Sequence, residues 1–161
     1  TNKRSGMFYN KLKSPETLEE SFAYLKEWDR AYVGAKMSYE YHFWKHQYYD
    51  PSNLYIARRV YEDIKSLKYM GIDGYVEDGS QRSFFPNGLS FYTFSRTLFD
   101  TSLNFEEIEE EYYSALYGEN WQKMRDYLEK VYNVIPFEYF SIDAAWERKE
   151  GTCIRFFMCF V

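Results

Sequence analysis

Residues 31–44 read AYVGAKMSYEYHFW, and residues 53–77 read NLYIARRVYEDIKSLKYMGIDGYVE. The first stretch has a period of two. Met37, Tyr39, Tyr41 and Phe43 fall on one side, with Ser38, Glu40, His42 and Trp44 on the other, the alternation of a strand. The Met37 side suits packing under helices. The Glu40 side, polar and aromatic, suits a barrel mouth or a cleft. In the second stretch Ala57, Val60, Ile64 and Leu67 form a helical stripe from about Asn53 to Met70, and Gly71 stands where a left-handed cap would close it. Ile72 to Glu77 then reads as a short strand. A helical crossover of this length joins parallel strands with a right-handed connection. The expected class is therefore α/β.

Working outward, Ser14-Pro15-Glu16 is a helix-opening pattern, and Leu18, Phe22 and Leu25 share one face through about Trp28. Asp50-Pro51 marks a turn, and Asp78 to Asn87 (DGSQRSFFPN) a loop. Helices are expected over about 88–99, 105–117 and 120–132, with an Asn104/Glu107 capping box, a stop at Gly118 and a regular pattern ended by Pro136. The division that follows is residues 1–87 as the last βα units of a barrel, 88–135 as a helical extension and 136–161 as a tail. That tail ends in the apolar run CIRFFMCFV, too short for a membrane helix and compatible with a buried strand.

Two parallel strands do not cover their own edges, and a complete (β/α)8 barrel needs about 200–250 residues. The expectation is thus the C-terminal portion of a TIM-type barrel followed by helices, its upstream strands supplied as a partner. The alternative is a small helical domain formed by the 161 residues themselves.

Composition sets limits on function. A hydrophobic share of 45% can build a core, and the net charge of −5 argues against a general nucleic-acid binder. No apolar run approaches the ~20 residues of a membrane span, and the first residues lack a signal-peptide core. Cys153 and Cys159 lie in neither a zinc nor a redox spacing. Aromatic residues make up 22% of the chain, and their rings offer flat apolar faces to sugars.

The run from Leu18 to about Val131 resembles the C-terminal barrel half of the bacterial domain of unknown function 4838 family. The segments that carry the resemblance are MSYEYHFW, KYMGIDGYVEDGS and EEYYSALYGENWQKMRDYLEKV, with Tyr117-Gly118 in place of the family's tyrosine–glycine pair. That family is similar to the family 67 alpha-glucuronidases. The resemblance implies a glycan substrate, a secreted, periplasmic or cell-surface setting in the parent protein, and acids Glu40 and Glu77 at the ends of the last two barrel strands. The tail beyond about Phe140 does not match the family.

Glycoside hydrolysis uses two carboxylates about 5–5.5 Å apart for retention or about 6.5–9.5 Å for inversion. Glu40 with Glu77 is the candidate catalytic pair, with Asp78 an alternative second acid; the same acids also suit solvated strand ends or a pair with Arg82. Trp44, Tyr48 and Tyr49 are candidate sugar platforms. Tyr39 and Tyr41 are expected to pack under helices, while Tyr75, Phe84 and Phe85 complete the aromatic group. His42 would bind substrate or tune the acid beside it, and Arg82 would grip a substrate carboxylate. His42 and His46 have a metal spacing only on a helix, so neither metal nor organic cofactor is expected. The functional expectation is a fragment of a glycoside-hydrolase-like protein. A non-catalytic glycan-binding module and a structural segment without activity of its own are the alternatives.

Overall fold

The computed structural model describes residues 17–43, 48–78 and 88–140. In chain order it comprises α1 (Leu18–Ala31), β1 (Met37–Glu40), α2 (Leu54–Leu67), β2 (Gly74–Glu77), α3 (Gly88–Phe99), α4 (Phe105–Tyr117) and α5 (Trp121–Val134). Short 3-10 turns follow α2, α4 and α5, at Lys68–Met70, Gly118–Asn120 and Phe137–Phe140. The Ser14 opening, Trp44 to Gln47, most of the 78–87 loop with Arg82, Phe84 and Phe85, and the tail with both cysteines lie outside the described residues.

The expectation of an α/β fold, the C-terminal portion of a TIM-type barrel, is corrected. The described chain is mainly helical, and its two four-residue strands form a sheet only with each other. Lys36 C=O accepts from the Asp73 and Gly74 N–H groups, and Glu40 C=O accepts from Asp78 N–H at 3.0 Å. This constant offset makes the pair parallel. The regular strand is shorter than the alternating pattern because residues 32–36 lack strand conformation. After β2 the helices pack on one another, α3 on α4 and α4 on α5, instead of returning to a sheet.

The chain divides into two units, Thr1–Ser38 with Ser66–Tyr75, and Tyr39–Lys65 with Val76–Val161. In the first, α1 opens at Thr17, whose Oγ1 accepts from Glu20 N–H at 3.1 Å. Its last turn adjoins the 68–70 turn, where Asp29 pairs with Lys36. Gly71 has φ +70° and closes the turn as the sequence suggested. The α1 stripe of Phe22, Leu25 and Trp28 is exposed.

The larger unit holds most of the buried apolar residues. Ala57, Leu89, Phe105, Tyr113 and Leu128 form a cluster against which Leu54, Tyr61, Trp121 and Met124 pack. Full burial of a Leu, Ile or Val side chain is worth about 1.5–3 kcal/mol, and Val60, Leu89 and Ile108 are all fully buried. A buried polar knot fixes the entry to α2. Asp50 accepts from Ser52 N–H (3.2 Å) and Ile56 N–H (3.0 Å), and Asn53 Oδ1 accepts from Ser90 N–H (2.7 Å), tying α2 to the start of α3. The α4 capping box is present as read, with Asn104 Oδ1 accepting from Glu107 N–H and Glu107 accepting from Asn104 N–H. Among the described residues no helix is long and apolar enough to cross a membrane.

Candidate functional site

Glu77 ends β2, and its side chain is 3% exposed. One carboxylate oxygen lies 3.0 Å from His42 Nδ1 and the other accepts from Phe43 N–H at 3.1 Å. The other face of the imidazole meets α2, where Asp63 Oδ2 is 2.7 Å from His42 Nε2. A half-turn after β1 thus places His42 between a strand-end acid and a helix acid. Burial of the ring opposes its charge, but the hydrogen bonds to Asp63 and Glu77, together with their charges, outweigh that and raise the pKa to about 9. At neutral pH the ring is an imidazolium donating through both nitrogens. Both Glu77 oxygens are thus already engaged, one by His42 and the other by the Phe43 N–H. Among the described residues no group of three or more His, Cys, Asp or Glu could hold a metal ion.

Glu40 is half-buried at the end of β1. Asp78 accepts a hydrogen bond from the Tyr39 phenol and raises its pKa. Tyr48 is exposed, and Tyr49 packs edge-on against Phe137 with ring centroids 5.8 Å apart. Along β1 the expected facing is reversed, with Met37, Tyr39 and Tyr41 exposed and Ser38, Glu40 and His42 half-buried, whereas Phe43, expected on the Met37 side, is buried against Phe91 and Phe94 of α3. Tyr39 and Tyr41 meet each other edge to face at 5.3 Å instead of packing under helices. Tyr75 is half-buried.

A second constellation is a groove between helices of the same unit. It has a volume of about 390 Å³ and is lined from α2 by Tyr55, Arg58, Arg59 and Glu62, from α4 by Phe105 and Glu109, and from α5 by Arg125, Glu129 and Tyr132. Helical spacing explains the lining. Tyr55, Arg58, Arg59 and Glu62 share one face of α2, and Arg125, Glu129 and Tyr132 one face of α5. At one end Tyr55 stacks on Phe137 (4.6 Å, 25°) and on Tyr132 (6.3 Å, 13°). At its floor the Arg58 guanidinium lies 4.4 Å over the Phe105 ring.

Charges in the groove are matched. Arg59 meets Glu62 at 3.3 Å, and Arg125 meets Glu109 at 3.4 Å and Glu129 at 3.9 Å. Glu109 is 4% exposed by side chain. Burial raises its pKa and Arg125 pulls it back. The three guanidiniums and three carboxylates lining the groove offer many donors and acceptors with no net charge.

Sequence reasoning missed Asp63 and every residue of this groove. The signal was present in Tyr55, Arg58, Arg59 and Glu62, and again in Arg125, Glu129 and Tyr132. Each set places rings and paired charges on one helix face away from the apolar stripe. The chain matches no protein-family model, and comparisons with curated proteins and with solved structures find no match.

Proposed function

We propose that this chain is a non-catalytic carbohydrate-binding module that holds a neutral saccharide in the groove between α2, α4 and α5. The observation that carries the proposal is the union of a stacked ring tier with charge-matched guanidiniums and carboxylates in one groove. A sugar hydroxyl donates one hydrogen bond and accepts others, so adjacent arginine donors and glutamate acceptors suit it. A charged ligand would have to displace an existing ion pair. The C–H face of a pyranose is apolar and suits the Tyr132 ring, which Tyr55 and Phe137 back. The groove volume lies within the about 300–1,000 Å³ of small-molecule sites. An extracellular or periplasmic setting, where polysaccharides are met, belongs to the same proposal.

Hydrolysis at Glu40 and Glu77 is the competing proposal. The two donors already on Glu77 favour binding over turnover as the reading to test first. Calorimetric titration with neutral hexoses and their oligomers is expected to give saturable binding. Tyr132→Ala and Arg125→Ala are expected to weaken it about tenfold or more, and no reducing ends should be released. Binding untouched by both substitutions would remove the groove from the proposal. Release of reducing ends, abolished by Glu77→Gln, would return the activity to the strand ends.

A further inference from the structure

The groove does not end at Arg125. A second hollow of about 360 Å³ adjoins it, lined by Glu106, Glu109, Glu110, Trp121, Gln122, Arg125 and Asp126. Glu109 and Arg125 line both hollows. Their side chains join α4 to α5 at 3.4 Å, so both hollows share this pair in their lining. Trp121 opens α5 and is half-buried against the core cluster, which fixes its ring. Trp121, Arg125, Glu129 and Tyr132 fall on one face of α5 by helical spacing. From Trp121 to Tyr132 the helix rises about 16 Å, further than one hexose ring reaches. Each hollow therefore has its own aromatic surface, and the pair between them offers hydrogen bonds to both.

The hollows differ in charge. The first is matched. In the second, Glu106, Glu110 and Asp126 add three carboxylates beyond the Glu109–Arg125 pair, and Arg58 pairs with Glu106 at 3.8 Å. An anionic group placed there meets an excess of carboxylates over guanidiniums, which a neutral or amino-substituted ring tolerates.

Resting on the carbohydrate-binding reading above, we infer that the α4–α5 face is a second sugar subsite, so that the ligand is an oligosaccharide with a ring on Trp121 that is not a uronate. The test is calorimetry on the full chain with glucose, cellobiose, cellotetraose and maltotetraose, beside tetragalacturonate and a glucosamine tetramer. At least one neutral tetramer is expected to bind ten times or more tighter than glucose, and tetragalacturonate to bind at least ten times weaker than that tetramer. Trp121→Ala is expected to erase the chain-length gain while leaving glucose affinity within twofold. Glu110→Gln with Asp126→Asn should narrow the uronate penalty.

Because Trp121 also packs against the core, a second measurement guards against misfolding. The indole N–H resonance that Trp121→Phe removes should shift with the tetramer and stay still with glucose. Equal affinity for glucose and the tetramers overturns the second subsite and leaves the binding reading standing. Absence of binding by any member at millimolar concentration overturns both.

Discussion

His42 is tied through both ring nitrogens, to Glu77 and to Asp63. An imidazole has a pKa of about 6.5 in an unfolded chain, against about 9 here. Between these values the folded state binds more protons than the unfolded one, so stability falls as pH rises. The contribution is whole below pH 6.5 and lost as pH passes through about 9. Asp63 is half in water, which discounts the gain to about 1–2 kcal/mol. The difference in urea-unfolding free energy between wild type and His42→Asn is expected to shrink by that amount from pH 6 to pH 9.5. A gap that is constant with pH would deny the clamp. Tyr113 is the opposite case: it is 1% exposed, and its hydroxyl has no partner. Removing an unsatisfied buried hydroxyl relieves its desolvation cost. Tyr113→Phe is expected to leave stability equal or raise it by up to about 1 kcal/mol, read from thermal and chemical melts; a clear loss would reveal a bound water. The sequence singled out His42 and Glu77 because they stand at a strand end. Their partnership with Asp63 was hidden, since it depends on where α2 runs.

Elements carried their own punctuation. The Asn104/Glu107 box and the Gly71 turn form where the sequence places them, because both devices act within a few residues. Asn104→Ala is expected to cost about 1 kcal/mol in urea unfolding. Gly71→Ala is expected to cost more, since a side chain there must adopt φ +70° and its Cβ would lie 2.5 Å from Asp29 Oδ1. An unchanged melt for Gly71→Ala would contradict that turn geometry. The stripe on α2 is buried as read: Ala57, Val60 and Ile64 are almost wholly enclosed. On β1 the alternation was right and the facing wrong. A period of two separates the faces of a strand, but which face is covered depends on what packs against it. The same holds for α1, whose stripe of Phe22, Leu25 and Trp28 is regular in sequence and exposed in the fold.

At the scale of the whole molecule, burial is uneven. Phe105, Ile108, Tyr113 and Leu128 on α4 and α5 are 4% exposed or less, whereas Phe22, Leu25 and Trp28 on α1 are 38–62% exposed. Local opening is cheapest where few apolar contacts are lost. Backbone amides of α1 are expected to exchange with solvent at least 100-fold faster than those of α4, measured by hydrogen–deuterium exchange; equal protection would contradict the burial pattern. The order helix, strand, helix, strand is correct, and the parallel pairing expected of it is present. Extending it to a barrel failed because, among the described residues, β1 and β2 pair only with each other, and because the later helices bury their stripes against one another. By itself the sequence determined the helices, their caps, the strand pair and the net negative charge. These depend on spacing along the chain and on net charge, which a linear string contains. Only the tertiary structure decided which faces are covered, that Asp63 closes on His42, and that Tyr55, Glu109 and Arg125 meet in one groove. Each of these joins residues from different elements, and the free energy that selects them comes from burial and charge pairing across the fold.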